Sequence, residues 1–174
     1  IHDSRLAACR DKRMITFIGN GGHAQVCKEI AANNWQQRSN QRYTFIAVGD
    51  NASRKAEAID LARPFAVLIH PSASISSTAT YGQGCVFMEG SVLQADSHLG
   101  EHVIVNAGAV ITHNCVIEDY AHIAHGAHLC GNVHVGEGAL IGVGVGIEPG
   151  VKIPAWSIVK RIPYAIALPS HQTA

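Results

Sequence analysis

From Ile69 onward, every sixth residue is large and apolar: Ile69, Ile75, Tyr81, Phe87, Leu93, Leu99, Val105, Ile111, Ile117, Ile123, Leu129, Val135, Ile141, Ile147, Ile153 and Val159. In a chain that is 47% apolar, sixteen hits in one frame have a chance on the order of one in 10⁵. The residues two places earlier, from Val67, Ala73, Ala79 and Cys85 through to Val145, Val151 and Ser157, are all small or β-branched. A period of six matches neither the 3.6 of an amphipathic helix nor the 2 of a hairpin strand. It predicts a short strand and a tight turn, repeated, with the large residue pointing inward and the small one filling a crowded corner. Three such units close one triangular coil, and coils stack as parallel strands about 4.8 Å apart. Sixteen units make about five coils, a column roughly 25 Å long. The alternative, a β-sandwich, has longer strands that alternate with period two.

Upstream of this array the pattern changes. Met14 to His23 reads as a buried strand running into a glycine loop, and Ala24 to Ala32 as a helix. A glycine loop before a helix N-terminus offers backbone N–H groups to an anion such as a diphosphate. The spacing falls short of the full dinucleotide fingerprint, so a plain tight turn fits the residues equally well. A second strand, Tyr43 to Val48, ends in Gly49-Asp50-Asn51, where Asp50 or Asn51 caps a helix from about Ala52 to Leu61. The expected organisation is a tag or linker at 1–13, a small α/β module at 14–66, a β-helix at 67–162 and a tail at 163–174.

Thirteen basic and thirteen acidic side chains balance, which argues against a general nucleic-acid binder. No apolar run approaches the roughly 18 residues that span a bilayer, and no apolar leader follows the basic residues near the start. The cysteines, Cys9, Cys27, Cys85, Cys115 and Cys130, are odd in number and form no C-x-x-C pair. Reduced thiols in a cytoplasmic protein are the expected reading.

Four blocks give the chain a family resemblance: F-I-G-N-G-G-H-A (17–24), F-I-A-V-G-D-N (45–51), I-H-P-S-A-S-I (69–75) and N-A-G-A-V-I-T-H-N-C-V-I-E-D-Y-A-H-I (106–123). A fifth, C-G-N-V-H-V-G-E-G-A-L-I-G, covers 130–142. Together they resemble the bacterial sugar O- and N-acyltransferases of the NeuD/PglD type over about residues 14–170. The resemblance implies a Rossmann-like nucleotide-sugar module joined to a left-handed β-helix, a homotrimer, and acetyl-CoA as cosubstrate with no metal. It implies N-acetylation of a UDP-linked 4-amino-dideoxy sugar, or O-acetylation of sialic acid or another surface sugar. By the same resemblance His113 falls on the catalytic base, His122 and Val143 on contacts to acetyl-CoA, and the Gly131 amide where the thioester oxygen is held. Gly21, Gly22, His23 and Gly49 fall on the nucleotide-sugar site.

Three departures accompany the match. Asn114 stands where the family carries an acidic residue that strengthens the base; an amide there orients the ring and adds no charge. Only Gln36 to Arg42 remain where the family has another strand. The stretch 157–163 lacks one hexad before Ala-Leu-Pro-Ser (167–170). Loops absent from the sequence near 36–42 and 160–161 are expected, with neighbouring Cα atoms there much further apart than about 3.8 Å.

The chemistry has its own logic. An amine attacking a thioester must be free of its proton, which a histidine of ordinary pKa accepts near neutrality. The resulting oxyanion is stabilised by a fixed backbone N–H. His113 and Gly131 are eighteen residues apart, which is one coil, so the repeat alone stacks them on one edge.

The other histidines fit blander roles. His98, His128 and His134, like His122, take an outward place in their hexads; His70 and His102 read as turn residues, and His125 has no firm assignment. Zinc carbonic anhydrases share the β-helix, but they need two histidines five residues apart, a spacing absent here. A non-catalytic trimeric β-helix that only binds or scaffolds is the rival of another class. Cys85 and Cys115 read as core filler, Trp35 and Trp156 as packing, and Glu118 with Asp119 as a solvated corner.

Overall fold

The structure, a computed structural model, describes residues 15–34, 42–61 and 64–160. The expected linker at 1–13, Trp35, nearly all of the short connection at 36–42, the far side of the 160–161 junction and the tail at 163–174 lie outside these residues.

Residues 68–159 form a parallel β-solenoid of about five coils, with one two-residue strand at each of the sixteen hexads. The first face stacks Leu68–Ile69, Val86–Phe87, Ile104–Val105, His122–Ile123, Leu140–Ile141 and Ile158–Val159. The second stacks Ser74–Ile75, Val92–Leu93, Val110–Ile111, His128–Leu129 and Gly146–Ile147, and the third Thr80–Tyr81, His98–Leu99, Val116–Ile117, His134–Val135 and Lys152–Ile153. Every pairing is parallel and offset by eighteen residues, as Ile111 opposite Leu129 shows. The second residue of each strand points inward, so Phe87, Leu93, Ile111, Ile117, Ile123, Leu129, Val135 and Ile141 form one buried column. Cys85 and Cys115 fill small inward places within it, as expected; burial pushes the Cys85 thiol up to about 12.

The corners hold the chain in left-handed backbone. Asn114 at φ +59° and Asn132 at φ +61° sit one coil apart between the second and third faces, where an asparagine tolerates αL. Between the third and first faces His102 and Tyr120 do the same, their rings stacked at 5.2 Å and 3°. His102 is thus the turn residue expected, but it is only 1% exposed, with Phe65 edge-on to its ring at 4.5 Å.

Residues 15–61 build two strand–helix units. Strands β1 (Ile15–Ile18) and β2 (Tyr43–Ile46) pair in parallel, followed by α1 (Gly22–Asn34) and α2 (Asn51–Ile59). Gly19, at φ +111°, ends β1 where an added Cβ would come within 2.5 Å of the Ala47 carbonyl oxygen, so only glycine fits. Asp50 caps α2: its carboxylate accepts from Ser53 N at 2.8 Å, and that bond holds its pKa below the usual range. Asn51 does other work, sending its amide to Gly138 O at 3.0 Å.

This α/β layer covers the first face. Leu68, Val86 and Ile104, the outward residues of three stacked strands, join Ala24, Cys27, Ile30, Phe45 and Ala47 in a second core. Among the described residues no helix is long and apolar enough to cross a membrane.

Candidate active site

His113 stands at the corner between the second and third faces, exposed to solvent, with Asn114 beside it. Its Nδ1 lies 2.9 Å from Asn114 Oδ1. An amide oxygen only accepts, so Nδ1 carries the proton and the neutral ring keeps its lone pair on Nε2. One coil on, Gly131 lies beneath that ring. A Cβ built there would meet His113 Cε1 at 2.5 Å and Nε2 at 2.8 Å. The coils are locked at this corner by Asn132 N donating to the His113 carbonyl at 3.1 Å. No acceptor within the described residues takes up the Gly131 N–H. A proton acceptor and a free main-chain donor therefore share one edge. An open hollow of about 420 Å³ reaches His113 along the second face, past Ser74, Val92 and Gln94.

The remaining expected site residues gather elsewhere. Gly21 and Gly22, both exposed, open α1, and nothing lies within 4 Å of where their Cβ atoms would be. His23 follows, and its Cβ is 4.0 Å from the Cβ position of Gly49 in the β2–α2 loop. His122, from the first face, meets this loop. Its Nε2 accepts from Asn106 Nδ2 at 3.1 Å, and Asn106 Oδ1 in turn accepts from Ala107 N. Burial, with the Arg54 cation nearby, lowers both His23 and His122 to about 4, so both rings are neutral at pH 7. Val143 sits apart on the corner between the first and second faces, 65% exposed. His113, Asn114 and Gly131 thus form one cluster, and His23, Gly49 and His122 another, on the face opposite that edge.

Other side chains settle as structure. His134 Nε2 pairs with Glu118 at 2.7 Å, which lowers the Glu118 pKa, and Asp119 accepts from Glu101 N. Trp156 lies 43% exposed with the Lys55 ammonium over its ring at 5.3 Å. Among the described residues no three His, Cys, Asp or Glu side chains are grouped to hold a metal ion.

No family model matches the chain. The acetyltransferase domain of PglB from Neisseria gonorrhoeae, solved with acetyl coenzyme A, superposes at a TM-score of 0.75 with 32% identity, covering 83% of this chain and 86% of that one. The chain belongs to the NeuD/PglD-like sugar acyltransferases. PerB from Caulobacter crescentus, solved with CoA and GDP-perosamine, is 31% identical with a TM-score of 0.72, over 84% of this chain and 88% of that one. A UDP-N-acetylbacillosamine N-acetyltransferase from Bacillus subtilis is 42% identical over 89 residues, which is 49% of this chain and 41% of that relative. The match thus spans about two fifths of that curated relative's length.

Two residues of this acyltransferase chain were not legible as site-shaping. Arg54 carries no sequence mark, since it reads as an ordinary residue on a polar helix. Asn106 could be found only by noticing that it lies sixteen residues before His122, nearly one coil.

Proposed function

We propose that this chain is an acetyl-CoA-dependent N-acetyltransferase for the amino group of a UDP-linked 4-amino-dideoxy sugar, acting in cytoplasmic synthesis of glycan precursors. The observation that carries the proposal is the His113 ring, fixed through Nδ1 by Asn114, over the free Gly131 N–H. In this reading His113 Nε2 accepts a proton from the sugar amine as its nitrogen bonds to the thioester carbon. The oxyanion points at the Gly131 N–H, a type of contact worth about 2.7–4 kcal/mol. Collapse breaks the carbon–sulfur bond, and the imidazolium returns the proton to the departing thiolate, giving the acetamido sugar and free CoA.

The glycines at 21, 22 and 49 with His23 take the nucleotide sugar within a Rossmann-like module, the diphosphate resting on the α1 N-terminus. The solenoid is left-handed, as the resemblance implies. Because the module lies opposite the His113 edge, the complete site needs a second copy. A homotrimer supplies it, with pantetheine running between columns along the hollow at His113, and Val143 and His122 on the coenzyme side. That both the PglB domain and PerB were solved with the coenzyme supports acetyl-CoA as cosubstrate. The test is thiol release from acetyl-CoA against a panel of UDP-amino sugars, with sialic acid as the hydroxyl acceptor. Turnover only with sialic acid transfers the assignment to O-acetylation, and binding of acetyl-CoA without any turnover leaves a binding module.

A further inference from the structure

Every N–H of the Arg54 guanidinium has an acceptor, and none of those acceptors is charged. Nε donates to His102 O at 2.9 Å; Nη1 donates to Val48 O at 3.0 Å and Gly49 O at 3.2 Å; Nη2 donates to Asn51 Oδ1 at 2.9 Å and Tyr120 O at 2.6 Å. These use all five donors of the fork. The side chain is only 1% exposed. Burial lowers its pKa to about 10, with the Asp50 carboxylate working the other way, so it remains a cation at neutral pH.

The partners divide into two sets. Val48 and Gly49 belong to the loop between β2 and α2, and Asn51 opens α2. His102 and Tyr120 are corner residues of the solenoid, one coil apart. Asn51, one helical turn before Arg54, reaches the next rung at Gly138 O. Positions three apart on a helix rise by about 4.5 Å. Coils rise by about 4.8 Å. The N-terminal turn of α2 is therefore in step with the carbonyl ladder at 102, 120 and 138. Lys55 adds an ion pair to Glu137 on the same corner.

We infer that Arg54 is a positioning residue for the nucleotide-sugar half of the site: its fork clamps the Val48–Gly49 loop to the solenoid corner, and so fixes Gly49 beside His23. The inference rests on the function proposed above. The clamp holds a different corner of the solenoid from His113 and Gly131, so its loss separates the two halves of the reaction. Lysine cannot replace it, since three donors on a flexible stem cannot satisfy five acceptors in one plane.

The test is calorimetric titration of the full chain, wild type and Arg54→Met, with a UDP-4-amino-dideoxy sugar and separately with acetyl-CoA, followed by KM and kcat for both. The expected result for Arg54→Met is a rise of about tenfold or more in Kd and KM for the nucleotide sugar, with acetyl-CoA binding within about twofold of wild type. Arg54→Lys is expected between the two. Wild-type affinity for the nucleotide sugar in Arg54→Met, or an equal loss for both ligands, overturns the inference. Should Arg54→Met not fold, Arg54→Lys decides: an unchanged nucleotide-sugar Kd overturns the clamp. A wild-type chain that binds acetyl-CoA but no UDP-amino sugar overturns the functional assignment, and the clamp's role with it.

Discussion

The imidazole of His113 occupies the space that a side chain at residue 131 would need, with Cε1 only 2.5 Å from the Cβ position of Gly131. The two positions are therefore one unit: glycine at 131 lets the ring lie flat over the main-chain donor. Gly131→Ala is expected to push the ring off the corner and disturb base and oxyanion donor together, lowering kcat by about 10² or more. Gly131 does not sit at a positive φ, so alanine there strains no backbone, and thermal unfolding should change little. Single-turnover acetyl transfer with a circular-dichroism melt checks both expectations. Wild-type turnover would remove the pair from the mechanism.

His113→Ala opens room instead of filling it. The ring is exposed and contributes little to the core, so the loss should be chemical. Turnover is expected to fall by about 10² or more while acetyl-CoA affinity stays near wild type. Steady-state kinetics with coenzyme titration distinguishes that outcome from a binding defect, which would raise Kd for acetyl-CoA.

Asn114 fixes the tautomer without adding charge, and Asn114→Asp adds the charge while keeping the acceptor. Aspartate tolerates the left-handed backbone at φ +59° nearly as well as asparagine. A carboxylate beside the ring favours its protonated form. The acidic limb of the kcat/KM profile is therefore expected to move to higher pH, because the base is lost to protonation sooner as pH falls. Initial rates from pH 5.5 to 9 read this directly, and a limb that stays in place or moves to lower pH would show that His113 does not control it.

The solenoid was legible because its signal is redundant. Ile69, Ile75 and the fourteen residues that follow at six-residue steps are each the second member of a strand, and all but the exposed Tyr81 join the core, so a single misfit did not hide the rhythm. The stacking of His113 on Gly131 followed from the eighteen-residue coil alone. What the sequence obscured was which outward row is covered. His122 and His128 occupy the same hexad place, yet His128 is exposed and His122 lies beneath the Gly49 loop. The clue was available at the same phase: Leu68, Val86, Ile104, Leu140 and Ile158 make the first face's outward row apolar apart from His122, whereas the other two rows mix Val92, Val110 and Val116 with Ser74, Thr80, His98 and Lys152. Arg54 left no such clue, since its acceptors are main-chain carbonyls and any residue supplies those.

Three neutral histidines also make acid a threat to the fold. His23, His102 and His122 are each lowered to about 4, chiefly by burial and next by the Arg54 cation. An unfolded histidine titrates near 6.5. Between those values the unfolded chain binds protons that the folded chain does not, so stability is full above about pH 6.5 and falls as pH drops toward 4. For His122 the loss from pH 7 to pH 5 is up to about 2 kcal/mol. His122→Gln removes the titration. The variant is expected to be less stable than wild type at pH 7, where it loses the fitted ring, but to lose less on going to pH 5. Urea unfolding at pH 7, 6 and 5 measures both quantities. An acid loss in His122→Gln as large as in the wild type would mean that this ring is already protonated, or already solvated, in the folded chain.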